Sequence, residues 1–526
     1  MGRIGVRARV VALLGGAMYA LFAAFGWQAQ HMGRSDPPRA LLTAALLWLP
    51  AACLLGWLCE RARRGAQGKG AASRLGRGSF HARRAFAFIL LCDVPMFLIA
   101  FPGSFAYDVP FQLKQALTGA YSTHHPLLHT LLLGGCVALG RLAGCVNAGA
   151  ALYTLLQMAL MALCFARTCA SVARQCGTAA ARVSALCFAL YPLHMMMAVN
   201  ATKDVLFSGC FALMLALSLE VLRAGEGRVP GGLCAELAAA DALAMMLRNN
   251  MVYAVAAWLL VLALLLRRRG RALLLLALLA AGSAMGANAL LKAATGARSG
   301  DASEMLSWPI QQLARARNVC GEAWSPQERE ALEEIMPGEA WRLYDPTISD
   351  PVKFELDTQR LMEDVPRYAR LYLSVGAKCP KAYFDALLMH TYSFFYPYSV
   401  YGVSGYYLQM GVGDQYYDGW YEGERITGAS LFPRVLDSLS WRFGAKGAMQ
   451  IPVIGWAFNM GAIVWVMLYF VLRAAYMGDW GRFAVLLLPV LLWGTFLLGP
   501  VMAGRYIYPF VCALPVMAAR PRCRAA

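Results

Sequence analysis

Apolar residues in this chain gather in long runs separated by short basic loops, without the two-residue alternation of half-buried strands. Twelve runs approach the ~20 residues needed to cross a bilayer. They lie at 10–27, 41–59, 85–101, 148–166, 183–199, 204–222, 233–248, 251–266, 272–292, 453–472, 483–499 and 504–519. The pattern predicts an α-helical polytopic membrane protein of about 12 transmembrane helices. One segment breaks it: residues 293–452 hold twenty of the thirty Asp and Glu residues and read as a separate α-rich insert. Its first half predicts polar helices from Pro326 to Ile335 and from Pro351 to Leu373. Its second half is rich in Tyr and Gly from Tyr392 to Tyr421.

The basic residues orient the runs. Arg3, Arg7 and Arg9 precede the first, and Arg61, Arg63, Arg64, Lys69, Arg74, Arg77, Arg83 and Arg84 fill the loop after the second. Arg167, Arg174 and Arg182, then Arg223 and Arg228, then Arg267, Arg268, Arg269 and Arg271, and finally Arg520, Arg522 and Arg524 follow. Cytoplasmic loops are enriched in Lys and Arg, and twelve spans put every one of these clusters inside. Both termini are then cytoplasmic and the insert is extracytoplasmic. The segment 127–144 is apolar enough to span alone, but that would turn the Arg167–Arg182 loop outward. A helix lying at the outer interface avoids the conflict. The opening residues resemble a secretory signal, yet the many later spans and the lack of a convincing cleavage site favour a retained first span.

This layout divides the chain into four parts: 1–84, two accessory helices and a basic loop; 85–292, a transmembrane core with an outer loop at 102–147; 293–452, the insert; and 453–526, the last helices. It also changes the meaning of the +18 formal charge. The charge lies in loops between apolar runs, which argues for a lipid bilayer as partner and against nucleic acid. Most of the fifteen cysteines sit singly in apolar runs as small hydrophobes. Cys320 and Cys379 are the only two in the insert, where their spacing leaves a disulfide open. The terminal Cys523-Arg524-Ala525-Ala526 is a poor prenylation box.

Candidate chemistry clusters at the outer turns. Phe101-Pro102-Gly103-Ser104-Phe105-Ala106-Tyr107-Asp108 is followed by His124-His125-Pro126-Leu127. Asp108 could take a proton from an attacking hydroxyl or amine, or hold a cation; equally, it could cap an interfacial helix. His124 and His125 suit phosphate or acceptor contacts, or headgroup anchoring. In Asn200-Ala201-Thr202-Lys203-Asp204, Lys203 could neutralise a lipid phosphate with Asp204 holding it or a metal, or the two could close the turn as a salt bridge. Arg248-Asn249-Asn250 follows a run containing Asp241, and Gly504-Arg505-Tyr506-Ile507-Tyr508-Pro509 opens the last run. An arginine fork fits phosphate, although a single one also serves as a snorkelling anchor. Gln311 and Gln312 are weaker candidates for facing the cavity. Tyr396, Tyr398, Tyr401, Tyr406, Tyr407, Tyr416, Tyr417, Trp420 and Tyr421 could stack on sugars or form an interfacial belt.

The order of an outer loop with an acid, His-Pro-Leu, an interfacial helix and a span resembles the GT-C membrane glycosyltransferases. That group includes protein O-mannosyltransferases and the aminoarabinose transferase of lipid A. The stretches PGSFAYD, QLKQAL and YSTHHPLLHTLLLG are similar to a bacterial GT-C-like family of largely unassigned activity. So are TKDVLFS at 202–208, LRNN at 247–250, PIQQLAR at 309–315, DPVK at 350–353 and RYIYP at 505–509. The resemblance covers most of the chain from about 85 onward and implies an interfacial helix at 127–144. It implies transfer of a sugar from a polyprenyl-phosphate donor to a glycan, lipid or protein acceptor, with inversion at the anomeric carbon. Asp108 is then the catalytic acid-base residue. Lys203, Arg248 and Arg505 take the departing phosphate, and His124, His125, Asp204, Asn249, Gln311 and Tyr506 complete the donor and acceptor contacts. Asp108 lacks the adjacent second acid common in several GT-C families, and Leu127 replaces the second proline of their His-Pro-Pro motif. No cofactor is expected; a divalent metal is disfavoured because the early outer loops hold no DxD motif. A transporter or flippase of lipid-linked sugars is the main alternative, but no inverted repeat is visible. An O-antigen-type polymerase or ligase, whose chemistry would sit in a late outer loop, and a non-catalytic scaffold complete the alternatives.

Overall fold

A computed structural model describes residues 5–67, 79–106, 108–224, 229–266, 270–300, 302–400, 410–411, 425–444, 451 and 453–519. Each of the twelve apolar runs carries a helix. The described chain is 81% helical and forms no strand. Among the described residues, seven helices are long and apolar enough to cross a membrane: α1 (Val6–Met32), α2 (Pro37–Gln67), α6 (Val146–Cys176), α9 (Lys203–Ala224), α12 (Arg271–Thr295), α20 (Met460–Met477) and α21 (Trp480–Leu497). Helices α7 (Thr178–Leu190) and α8 (Pro192–Ala198) make an eighth if they are one span bent by 60°. The bend falls at Tyr191-Pro192, where proline offers no amide donor and drives the preceding residue to an extended conformation. The remaining apolar runs fold as α3 (Ala82–Ile99), α10 (Gly231–Leu247), α11 (Met251–Leu266) and α22 (Tyr508–Ala518). These fall short of that test: α3 carries Arg83, Arg84 and Asp93, and the other three are 17, 16 and 11 residues long. This is an α-helical membrane protein.

Helix α9 is apolar on all sides and is the centre of the bundle, with 89% of its most apolar stretch buried. Helices α6, α10 and α22 pack around it. The loop 102–147 contains α4 (Val109–Thr118) and α5 (Leu127–Leu142). Helix α5 folds back on α6 at a close crossing built on glycine. A Cβ added at Gly140 would lie 2.6 Å from the Gly149 Cα, and one at Gly149 would lie 2.6 Å from the Cys136 carbonyl oxygen.

The insert is helical, with α13 (Ser307–Cys320), α14 (Pro326–Ile335), α15 (Asp350–Lys353), α16 (Thr358–Glu363), α17 (Val365–Lys378), α18 (Pro380–Thr391) and α19 (Pro433–Gly444). Helix α14 matches its predicted bounds and starts with a reciprocal Ser325–Glu328 capping box. The single helix predicted from Pro351 to Leu373 is instead three pieces. The side chains of Asp357 and Asp364 accept amide hydrogen bonds at two new helix starts, and Pro366 occupies the first turn of the second. Cys320 and Cys379 are joined in a disulfide that ties α13 to the start of α18, with Cα atoms 6.6 Å apart. The insert docks on the chain between α21 and α22. The Ser349 amide donates to the Pro500 carbonyl at 2.9 Å, His390 Nε2 lies 2.8 Å from the Gly499 carbonyl, and Trp308 donates to the Leu497 carbonyl at 2.6 Å.

Two helices start later than the apolar runs that predict them. The run at 453–472 becomes α20 at Met460–Met477, because the Asn459 side chain caps the Ala462 amide. The run at 504–519 opens with a 3-10 turn, Gly504–Ile507, before α22. Lys69, Arg74, Arg77, Arg228, Arg267 to Arg269 and Arg520 to Arg524 lie outside the described residues, as do Tyr401, Tyr406, Tyr407, Tyr416, Tyr417, Trp420 and Tyr421.

Candidate functional site

Backbone pairing brings two distant loops together. The Ser104 amide donates to the Val199 carbonyl and the Ala201 amide to the Ser104 carbonyl, both at 2.8 Å. From below, the Gln157 amide of α6 donates to the carbonyls of Ala198 and Asn200 at 2.8 and 2.9 Å. Lys203 and Asp204 therefore open α9 beside Asp108, which immediately precedes α4. The capping reading of Asp108 does not hold, because its side chain caps no amide of α4. The Asp108 carboxylate faces the charged groups instead.

Those groups form one continuous cluster. Asp108 Oδ2 accepts from Lys203 Nζ at 2.6 Å, and Asp108 Oδ1 accepts from Arg505 at 3.3 Å. Arg505 Nε also lies 3.4 Å from Asp204 Oδ2, and the other Asp204 oxygen pairs with Arg248. Asp204 is wholly buried, while the side chains of Arg248 and Arg505 are each 9% exposed. The Arg248 guanidinium lies over the rings of Phe496 and Tyr506, 4.4 and 4.6 Å from their centroids, and Nε donates to Asn250 Oδ1 at 3.0 Å. Among the described residues, three cations thus face two carboxylates.

His125 completes the near side, with Nδ1 3.2 Å from Lys203 Nζ and 3.8 Å from Asp108 Oδ2. Lysine can only donate, so Nδ1 accepts and the ring proton belongs on Nε2. Burial, and then the Lys203 ammonium, push the imidazole down to about 2 against the pull of Asp108, so His125 is neutral. Burial works to raise the Asp108 carboxyl, but Arg505 and then Lys203 outweigh it and hold it well below the usual carboxylate range. So paired, Asp108 is a weak base.

Beneath this cluster runs a buried polar chain that sequence reading missed. Gln112 donates to Thr130 at 2.9 Å and sits 3.1 Å from His129, which is 2.6 Å from the Tyr153 hydroxyl. Tyr153 donates in turn to Gln157 at 2.9 Å. The signal was present, since glutamine and histidine inside apolar helices need polar partners. The chain joins α4, α5 and α6 to the 198–200 turn and thereby positions the Asp108 and Lys203 loops.

The structure brings together Asp108, His125, Lys203, Asp204, Arg248, Arg505 and Tyr506. Three other candidates sit elsewhere. His124 turns toward the insert, 3.9 Å from Glu304, where the Thr123 amide donates to the Arg298 carbonyl and the Thr123 hydroxyl accepts from the Gly300 amide. Asn249 is exposed and donates to the Thr123 carbonyl at 3.2 Å; its neighbour Asn250 is the residue that orders Arg248. Gln311 lies within the insert and donates to the Asp345 carbonyl at 2.7 Å, while Gln312 pairs with Tyr372 and Tyr383. Tyr396 is no open stacking platform: it is 5% exposed and packs against Gly26 and Gly461. Tyr398 is 49% exposed. Among the described residues, no group of three or more His, Cys, Asp or Glu side chains is arranged to hold a metal.

Residues 114–522 match a family described as a family of unknown function (DUF6020). The chain belongs to that family. The DUF6020 segment includes Lys203, Asp204, Arg248 and Arg505 and begins six residues after Asp108, so α1, α2 and α3 lie outside it. Nothing among the curated proteins and nothing among the solved structures matches the chain.

Proposed function

We propose that this DUF6020 member is a GT-C-type glycosyltransferase that moves a sugar from a polyprenyl-phosphate donor to a glycan, lipid or protein acceptor. In this reading it has about twelve spans with both termini cytoplasmic, and 293–452 and the Asp108 cluster are on the extracytoplasmic face. The observation that carries it is the gathering of Lys203, Arg248 and Arg505 round Asp108 and Asp204 at the ends of apolar helices. A lipid-linked phosphate meets that charge with its head, while its tail stays between helices.

The arrangement also supports an order of events. Without donor, Lys203 and Arg505 hold Asp108 as an ion pair. A donor phosphate takes over hydrogen bonds from Lys203, Arg248 and Arg505 and frees the carboxylate. The acceptor hydroxyl or amine attacks the anomeric carbon, and its proton passes to Asp108. The carbon–oxygen bond to the phosphate breaks, and the electron pair leaves on the polyprenyl phosphate, whose added charge the cations stabilise. Attack opposite the leaving group inverts the anomeric centre. Transport is less well supported, because Asp108, Lys203, Arg248 and Arg505 lie at helix ends, whereas transporter sites sit near the bilayer midplane in broken helices.

The test is transfer of labelled sugar from a panel of polyprenyl-phosphate donors, in membranes carrying the wild type or Asp108→Asn. The reading expects transfer by the wild type and a loss of ~10²–10⁴-fold in the variant, the range for removing a positioned base. Equal transfer by both would remove Asp108 from the chemistry. No transfer by the wild type from any donor would move the weight to transport.

A further inference from the structure

A cavity of about 770 Å³, sharing no lining residue with the Asp108 cluster, lies between α1 and the C-terminal half of α2. Its body is apolar, lined by residues such as Leu13, Leu49 and Cys53, and its rim carries Arg9, Arg61 and Arg64. Glu60, the one rim carboxylate among the described residues, is already committed: Arg63 donates to both of its oxygens, at 2.7 and 2.8 Å, and Arg64 donates at 3.2 Å. Among the described residues, Arg9 and Arg61 enter no ion pair, and Arg61 rests over the Trp57 ring with its centre 5.3 Å away. Tyr476 of α20 closes the groove. It is only 4% exposed, and its hydroxyl has no hydrogen-bond partner among the described residues.

We infer that this groove is a binding site for an anionic phospholipid of the surrounding bilayer. The headgroup phosphate meets Arg9 and Arg61 and accepts from the Tyr476 hydroxyl, and the acyl chains run along the apolar body. The groove opens sideways to lipid, because only 11% of the apolar stretch of α2 is buried. A soluble anion would leave the apolar body uncovered. A second copy of the chain would set the same arginines against each other across a two-fold axis. Basic pockets between membrane helices favour anionic headgroups, each cation contributing roughly 1 kcal/mol, or about fivefold in affinity. Almost all of the groove lies before residue 114 and so outside the family segment. The site is therefore built mainly by the two helices that precede the family segment, with Tyr476 from within it, and does not rest on the reading of sugar transfer.

The experiment measures binding of fluorescent phosphatidylglycerol and phosphatidylcholine to the purified full-length protein in neutral detergent. The wild type should prefer phosphatidylglycerol about tenfold or more, and the preference should weaken as salt is raised. Arg9→Gln with Arg61→Gln should bring the two lipids near parity, and Tyr476→Phe should cost a few-fold with an unchanged unfolding midpoint. Should the double variant fold poorly, the salt series on the wild type still decides. Equal affinity of the wild type for the two lipids would overturn the inference, as would an unaltered preference in a folded double variant. Full competition by glycerol phosphate would assign the site to a soluble anion, and loss of a dimer on substitution would assign it to a second copy; either also overturns it.

Discussion

Asp204 is the most demanding test of the physical picture, because nothing about activity need be known to make it. Its carboxylate is wholly buried and answers both Arg248 and Arg505, each with a side chain 9% exposed. Asp204→Asn keeps the shape and removes the charge, leaving two buried guanidinium groups with less compensation. Breaking a buried ion pair from one side costs about 3–5 kcal/mol. The lower end applies here, since Arg505 keeps Asp108 at 3.3 Å. Arg248→Met should also be costly, because it removes the pairing and the stacking on Phe496 and Tyr506 at 4.4 and 4.6 Å, about 0.5–2 kcal/mol for the latter. The double variant leaves neither partner stranded, so its loss should fall short of the sum of the singles by about 2 kcal/mol. Unfolding by SDS titration in mixed micelles measures all three against the wild type. An Asp204→Asn loss below about 1 kcal/mol, or strict additivity, would show that the cluster is not the coupled unit described.

Other consequences concern the insert and the helix crossing. In Glu328, burial raises the carboxyl, but Lys378 at 2.6 Å, Ser374 and the Ser325 amide overcome it and hold the group at about 2, below its ordinary 4.5. A depressed carboxyl stabilises above its unfolded value and loses that contribution as pH falls toward its folded one. The melting difference between wild type and Glu328→Gln should thus be full at pH 6 and shrink below pH 4.5; a difference independent of pH would contradict the pairing. The Cys320–Cys379 bridge closes a separation of 59 residues, for which loop-closure entropy gives about 4 kcal/mol. Cys320→Ala with Cys379→Ala should loosen the insert by that order, read as faster limited proteolysis within 307–391, and unchanged cleavage would count against it. Gly140→Leu forces a side chain onto the Gly149 backbone. It should cost at least about 1–3 kcal/mol, seen as a fall in monodisperse yield; normal yield and melting would show that α5 can move away from α6.

The helices were legible because apolar runs of this length have few other uses, and the insert stood out by its acids. Boundaries were less so. Asn459, Asp357 and Asp364 set helix starts through side-chain caps, and such polar residues are common enough in loops to pass unremarked. At the site, charge placed near apolar ends pointed to Asp108, Lys203, Asp204, Arg248 and Arg505, all of which the fold gathers. Adjacent residues could not be told apart: His125 and Asn250 face the cluster while His124 and Asn249 face away, a difference of backbone direction at a turn. The Gln112–His129–Tyr153–Gln157 chain spans three helices and has no local spacing to betray it.

The central claim, a cation-held carboxylate awaiting a lipid phosphate, is tested most directly by separating binding from transfer in one protein. Purified wild type and Asp108→Asn would be compared for affinity toward polyprenyl phosphate and for single-turnover transfer of sugar. The account predicts that Asp108→Asn binds the phosphate at least as tightly as the wild type, since Lys203 and Arg505 lose their internal anion, while transfer falls by ~10²–10⁴-fold. Weaker phosphate binding together with undiminished transfer would contradict it.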